Sequence, residues 1–224
     1  MARPPPRRAR AAAEQARIET LFARFEAGES DPRTELNYTS PYTLVVAVAL
    51  SAQATDVSVN KATARLFAEA DTPAAMLALG EAGLKSFISS IGLFNTKAKN
   101  VIRMAEILIA EHGGEVPLAR AALQALPGVG RKTASVVLNE LGIEPAIAVD
   151  THVFRVSHRL GLARAKTPDK VEAELMAAIP GPYLTRAHHW LILHGRYVCV
   201  ARRPKCAECP VVDLCASGDK LSAA

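Results

Sequence analysis

The chain has 224 residues, half of them hydrophobic, with a formal net charge of +5 and an isoelectric point near 9.2. This length and apolar content allow a well-buried core, in one large or two small domains, without disulfide support. The positive charge is compatible with an anionic partner such as nucleic acid, although charge alone does not identify one. The longest fully apolar run, residues 44–50, is far shorter than the ~20 residues of a membrane-spanning helix, which excludes a helical membrane protein.

The N-terminal stretch is rich in proline and arginine, with Pro4, Pro5 and Pro6 in a row. Such a composition buries little apolar surface, so we predict a disordered basic tail over residues 1–17. A transit peptide is the alternative, but the proline triplet disfavours the amphipathic helix that transit peptides form.

Beyond this tail, segments rich in alanine, leucine and glutamate alternate with prolines and glycines that end helices. A period of two occurs only briefly, in residues 43–50, where continuous apolarity fits a buried helix equally well. The pattern predicts an all-α fold. The predicted breaks are Pro73, Gly80, Gly92, Gly113, Gly114, Pro127, Gly128, Gly142, Pro145, Pro180 and Gly181.

Residues 123–138 predict two helices joined by a Pro-Gly-Val-Gly turn. Gly128 and Gly130 permit backbone conformations and close approaches that other residues do not, so the turn and the next helix N-terminus could hold a phosphate oxygen. An ordinary helix–helix turn is the alternative. The predicted core face of the second helix is Ala134, Val137, Leu138 and Leu141, with Lys132, Ser135 and Asn139 pointing elsewhere.

Lys132 lies in the first turn of this second helix, where the helix dipole disfavours an ammonium ion. An amine nucleophile must be neutral, so the pKa of such a lysine has to fall substantially. The dipole contributes only about 0.3–1 kcal/mol, and desolvation or neighbouring positive charge must supply the rest. A solvated surface lysine is the alternative interpretation.

Asp150 precedes a helical pattern and is a candidate N-cap. A carboxylate at a helix start can also stabilise an oxocarbenium-like sugar or activate a nucleophile, and both roles can coexist. A direct ion pair with Lys132 would raise the lysine pKa and oppose nucleophilic attack. We therefore predict that the two groups are separated or bridged by water in the free protein.

All four cysteines lie near the C-terminus, in the pattern C-x6-C-x2-C-x5-C. This clustering favours a metal site in a reducing compartment over disulfides, and four thiolates suit either a [4Fe-4S] cube or tetrahedral zinc. The loop after the first cysteine carries three cations that could bind phosphates or could simply be solvated. The cysteines are Cys199, Cys206, Cys209 and Cys215, and the loop cations are Arg202, Arg203 and Lys205.

Together, these motifs resemble endonuclease III, the bifunctional DNA glycosylase/AP lyase of the helix-hairpin-helix superfamily. The similarity covers nearly the whole chain after the tail. It is carried by residues 126–134 (LPGVGRKTA), 149–152 (VDTH) and the cysteine pattern, and further by residues 50–61, 91–95 and 188–196.

The resemblance implies two helical domains that flank a DNA-binding cleft. One is a six-helix domain with the helix-hairpin-helix at residues 34–145, and the other is an iron–sulfur domain of residues 18–33 plus 146–224. The implied cofactor is a [4Fe-4S] cluster. The implied partner is double-stranded DNA with damaged pyrimidines or abasic sites, bound by a monomer in a bacterial-type cytoplasm near the nucleoid.

By the same resemblance, Lys132 attacks C1′ of a flipped nucleotide, expels the base and forms a Schiff base, and β-elimination cuts the 3′ side. Asp150 assists. Gln53 fills the hole left by the base and Leu93 wedges into the opposite strand, unless they are a helix-end amide and a core leucine. The remaining implied DNA contacts are Gly128, Gly130, Arg131, His152, Arg202, Arg203 and Lys205, and the four cysteines hold the cluster.

Three alternatives stay open at this point. Adenine DNA glycosylase shares the hairpin and cluster, but it lacks the lysine and carries an extra C-terminal domain that we do not expect here. The others are a non-catalytic DNA-binding helix-hairpin-helix protein and an electron-transfer module. The presence of Lys132 favours the lyase over adenine DNA glycosylase, and the combination of Lys132 with Asp150 argues against the other two.

Overall fold

The computed structural model describes residues 6–218, and within this range it contains α-helices and short 3-10 helices but no strand. The all-α prediction is confirmed. None of the helices in the described range is long and apolar enough to cross a membrane. The α-helices are α1 (Arg7–Gly28), α2 (Pro41–Ser51), α3 (Asp56–Glu69), α4 (Pro73–Ile88), α5 (Phe94–His112), α6 (Arg120–Ala125), α7 (Arg131–Glu140), α8 (Thr151–Arg159), α9 (Pro168–Ala178) and α10 (Leu184–Tyr197).

The chain divides into two compact units. The first comprises Thr34–Glu144 and contains α2 to α7. The second combines the segment that ends at Arg33 with the segment that begins at Pro145, and it contains α1 and α8 to α10. Its short 3-10 helices are Gly181–Tyr183, Cys206–Glu208 and Val212–Leu214.

The centre of the first unit is α2, whose apolar residues 44–50 are all at least partly buried and mostly inaccessible to solvent. Pro41 occupies the first helical position, and a capping box starts the helix. In this box, Thr43 N–H donates to Ser40 Oγ at 3.1 Å, and Ser40 N–H donates to Thr43 Oγ1 at 2.8 Å. The ambiguous run at 43–50 is therefore a buried helix, not a strand.

The second unit has its own core, formed by α1, α8, α9 and α10. Phe22 of α1 is fully buried and stacks on Tyr183 with ring centroids 5.8 Å apart. Trp190 of α10 donates its indole N–H to the carbonyl of Glu29 at 2.8 Å. The N-terminal helix is thus an integral part of this unit.

The structure corrects the prediction of a disordered tail. Helix α1 begins at Arg7, so residues 7–17 are helical, and residues 1–5 lie outside the described range. Residues 9–16 are mostly alanine with arginine, glutamate and glutamine, all strong helix formers, and they extend a helix that is anchored further on by Leu21 and Phe22. Pro6 directly precedes this helix.

Candidate active site

The two glycines of the predicted hairpin have different roles. Gly128 has a φ of +79°, and a Cβ at this position would lie 3.3 Å from Cβ of Asn100, so both conformation and packing favour glycine. Gly130 has a φ of −82°, and a Cβ there would meet nothing within 4 Å. Gly130 is the N-cap of α7, and no side chain caps this helix. An anion can therefore approach the N–H groups of the first turn.

Lys132 and Arg131 are exposed at the start of α7. The predicted core face is confirmed at Ala134, Val137 and Leu138, while Leu141 is only partly buried. Ser135 and Asn139, predicted to point away from this core face, are nevertheless buried, with exposed fractions of 1% and 3%. Helix α7 is buried on more than one face, so the apolar residues along one face did not predict all of its buried positions.

Arg120, at the start of α6, braces this hairpin. Its Nη1 donates to Ser135 Oγ at 2.9 Å, while its Nε and Nη2 donate to Glu144 Oε1 at 3.1 and 2.8 Å. One guanidinium thus links α6 to α7 and to the residue that ends this unit. No sequence pattern indicates this role, because an arginine at the start of a short helix is normally a surface residue.

Asp150 is the N-cap of α8, as predicted. Its Oδ1 accepts the backbone N–H groups of His152 at 2.9 Å and Val153 at 2.8 Å. Within residues 6–218, Oδ2 accepts no hydrogen bond. Asp150 and Lys132 belong to different compact units, so the separated or water-bridged pair remains a prediction.

The four cysteines line one cavity and form no disulfide with one another. Burial raises the pKa of the Cys209 thiol, whose Sγ lies 3.7 Å from Nε2 of His194. Burial also lowers the pKa of His194 to about 4, so this imidazole is neutral at physiological pH. Among residues 6–218, no three His, Cys, Asp or Glu side chains are placed to hold a single metal ion. A four-iron cube has a different requirement, because each of its irons takes one thiolate.

Two arginines of α8 hold the start of the cysteine segment. Arg155 Nε donates to the carbonyl of Cys199 at 3.1 Å. Arg159 Nη1 donates to the carbonyl of Val200 at 2.8 Å and lies 3.5 Å from Sγ of Cys199. The two arginines therefore tie the start of the cysteine segment to α8.

The predicted phosphate-binding cations lie on the loop that follows. Arg202, Arg203 and Lys205 are all exposed, and Arg203 has a φ of +54°. Lys205 Nζ is 3.9 Å from Oε2 of Glu208, which is a weak and solvated pair. The loop therefore presents positive charge to solvent from a backbone that α8 holds in place.

Gln53 and Leu93 are both exposed in the first unit, and both have positive φ values, 56° and 61°. Leu93 is 60% exposed, which excludes the core interpretation.

Lys97 is a buried lysine that no sequence motif indicated. It is only 7% exposed, and its Nζ donates to the carbonyls of Leu50 at 2.9 Å and Ala52 at 2.7 Å. Burial lowers the pKa of Lys97.

Comparison with known proteins identifies the family. The model of the HhH-GPD superfamily of base excision DNA repair proteins matches residues 46–181, and that of the iron-sulfur binding domain of endonuclease III matches residues 199–215. Endonuclease III of Escherichia coli K12 is 55% identical over 201 residues, which cover 90% of this chain and 95% of the relative. The chain belongs to the endonuclease III family. Endonuclease III of Rickettsia conorii is 57% identical over 198 residues, or 88% of this chain and 94% of the relative.

A solved structure of a trapped endonuclease III–DNA covalent intermediate superposes with a TM-score of 0.84 at 43% identity, covering 92% of this chain and 97% of that chain. As a member of this family, the protein is a base-excision repair DNA glycosylase with AP lyase activity that acts on duplex DNA. It excises oxidised pyrimidines through a lysine Schiff base and cleaves 3′ of the abasic site by β-elimination. Its cofactor is the predicted [4Fe-4S] cluster, not zinc.

Proposed function

We propose that Lys132 is the Schiff-base nucleophile of this enzyme. The observation that carries the proposal is its position: an exposed amine in the first turn of α7, two residues after an uncapped glycine turn that can hold a DNA phosphate. Phosphate binding there would bring the sugar of the bound nucleotide close to the amine.

In the proposed reaction, the neutral Nζ of Lys132 forms a bond to C1′ while the bond from C1′ to the base breaks, and the base leaves with a proton. Opening of the sugar ring gives the protonated Schiff base. Loss of a C2′ proton then breaks the bond between C3′ and its oxygen, which cuts the strand. Water finally hydrolyses the Schiff base and releases Lys132.

Asp150 is the proposed assisting carboxylate. One of its oxygens is committed to capping α8, which fixes the direction of the group. The other oxygen makes no hydrogen bond within residues 6–218, so it can take the proton of the attacking amine or face the positive charge that develops on the sugar. The capping hydrogen bonds thus hold the Asp150 carboxylate in place, while its second oxygen remains available for chemistry.

The proposed DNA contacts come from both units. Gln53 would fill the space of the flipped base and Leu93 would enter the opposite strand, as expected of exposed side chains on constrained loops. The α7 N-terminus and the cysteine-segment loop would bind the phosphate backbone. The residues that would contact the DNA backbone or the DNA groups near it are Gly128, Gly130, Arg131, His152, Arg202, Arg203 and Lys205.

We further propose that Thr34–Glu144 is the six-helix domain of the family and that the other unit is its iron–sulfur domain. Cys199, Cys206, Cys209 and Cys215 would each bind one iron of the cluster. When bound, the cluster supplies four metal–thiolate bonds that tie the basic loop to the end of the chain. A monomer acting at the bacterial nucleoid is the corresponding proposal for assembly and location.

Borohydride trapping on duplex DNA with an abasic site tests the role of Lys132, because only an enzyme that forms a Schiff base becomes covalently attached. We expect wild-type protein to be trapped and Lys132→Ala not to be. Lys170→Ala is the matched control, since Lys170 is also an exposed lysine in the first turn of a helix, α9. Trapping of Lys132→Ala at the wild-type level would refute the assignment.

A further inference from the structure

The two proposed insertion residues share an unusual backbone conformation. Gln53 and Leu93 have left-handed φ values of 56° and 61°, and Arg203 is the only other non-glycine residue with positive φ within residues 6–218. Side chains with a Cβ rarely adopt this conformation, so surrounding contacts must maintain it. The two loops approach each other closely, because a Cβ on Gly92 would lie 3.8 Å from the carbonyl oxygen of Gln53.

Lys97 provides the contact that joins these loops. It lies in the first turn of α5, four residues after Leu93, and its ammonium reaches the end of α2. There it donates to the carbonyls of Leu50 at 2.9 Å and Ala52 at 2.7 Å, and Ala52 directly precedes Gln53. The carbonyls at a helix C-terminus carry partial negative charge, so a cation is well matched to this end of α2.

This arrangement is costly for an ordinary structural lysine. The side chain is 7% exposed, and within residues 6–218 its ammonium makes no ion pair with a carboxylate. A neutral apolar side chain would avoid the desolvation of a charge. The two hydrogen bonds do something that an apolar side chain cannot do, because they fix the carbonyl directions immediately before Gln53.

We propose that Lys97 is a positioning residue for base extrusion. Its ammonium holds the Gln53 loop and the Leu93 loop in a fixed position relative to each other, so that both side chains enter the duplex together. This inference rests on the insertion roles proposed above for Gln53 and Leu93. Lys97 itself touches neither the reacting sugar nor the base. It acts through the two loops.

A double-mutant cycle tests the proposal, because residues that act through one another have non-additive effects. Lys97→Met removes the charge while keeping a long side chain, and Lys97→Gln keeps an N–H donor and serves if the methionine variant unfolds. Lys99→Met is the matched control, since Lys99 is an exposed lysine on the same helix and its loss changes the net charge equally. Each change is made in wild-type protein and in a Gln53→Ala/Leu93→Ala background.

The measurements are single-turnover excision of an oxidised pyrimidine from duplex DNA and the fluorescence of 2-aminopurine placed beside the lesion, which reports unstacking. In wild-type background we expect Lys97→Met to slow excision on the order of 10- to 100-fold, as small misplacements of binding groups do. The fluorescence change should be weaker as well. In the Gln53→Ala/Leu93→Ala background the same change should slow excision less than about threefold. Lys97→Gln should follow the same pattern, with a smaller loss.

The outcomes separate this inference from the proposal on which it rests. If Gln53→Ala/Leu93→Ala slows excision but a folded Lys97 variant loses the same factor in both backgrounds, or behaves like Lys99→Met, the positioning role is overturned and the insertion roles stand. If Gln53→Ala/Leu93→Ala excises and unstacks like wild type, the insertion roles are overturned. Thermal unfolding of every variant confirms which ones are folded.

Discussion

Asp150 allows the structural and chemical contributions of one carboxyl group to be separated. Its Oδ1 caps α8 through two backbone N–H groups at 2.8 and 2.9 Å. Asp150→Asn keeps an acceptor oxygen on the same stem, whereas Asp150→Ala removes it. Loss of such a cap costs about 1 kcal/mol, which for a chain of 224 residues lowers the Tm by about 2–4 °C. Asparagine loses only the interaction of the charge with the helix dipole, about 0.3–1 kcal/mol.

Activity should follow a different order from stability. Both substitutions remove the negative charge, so both should slow single-turnover excision of thymine glycol from a duplex by about 10²–10⁴-fold, the usual contribution of a positioned acid or base. We therefore expect Tm to decrease from wild type to Asp150→Asn to Asp150→Ala, with similar activity losses in the two variants. Excision by Asp150→Asn within about threefold of wild type would refute a catalytic charge at this position. Equal Tm values for the two variants would refute the cap argument.

Three further predictions concern the elements around the site. Gly128→Ala should lower the free energy of unfolding measured in urea by about 1–2 kcal/mol, because it places an alanine at a φ of +79°. Gly130→Ala should leave the free energy of unfolding unchanged and weaken duplex binding, since its methyl enters the open space where a phosphate would lie. Wild-type affinity in Gly130→Ala would contradict a close phosphate approach. Arg17→Ala should accelerate loss of the visible cluster absorbance in a chelator, because Arg17 Nη1 donates to the carbonyls of Leu160 at 3.0 Å and Leu214 at 2.6 Å, beside Cys215. The control is Arg103→Ala, in the other unit, and equal rates of absorbance loss for the two variants would count against this bracing. Arg120→Met should lower the free energy of unfolding by about 1–3 kcal/mol, because it loses the hydrogen bonds to Ser135 and Glu144. An unchanged urea midpoint would show that α6 and α7 do not need this link.

Most helix boundaries were predictable because their signals are local. Pro73 begins α4, and Gly113 ends α5 in the left-handed conformation that helix ends favour. The run at 43–50 was ambiguous because a fully buried helix and a fully buried strand both show continuous apolarity. The residues that decide it, Ser40 and Thr43, form a capping box through side-chain contacts, which hydrophobic periodicity does not register.

The candidate site was predictable where a motif carries it and not where tertiary contacts do. Lys132, Asp150 and the cysteines stand in recognisable sequence patterns. Lys97 and Arg120 do not, because the partners of Lys97 are backbone carbonyls 45 and 47 residues away and Glu144 lies 24 residues from Arg120. A lysine or arginine with no local partner is usually a surface residue, so only the folded chain distinguishes these two.

Helix α8 connects the proposed catalytic carboxylate to the cysteine segment within one unit. Asp150 caps its first turn, while Arg155 and Arg159 donate to the carbonyls of Cys199 and Val200. A cluster bound by the four cysteines would fix the cysteine segment, and through the two arginines it would also hold the other end of α8. Since a short packed helix moves as one body, the cap can hold the Asp150 carboxylate steady only if that far end is also held. A bound cluster would thus help to hold the proposed catalytic carboxylate in place.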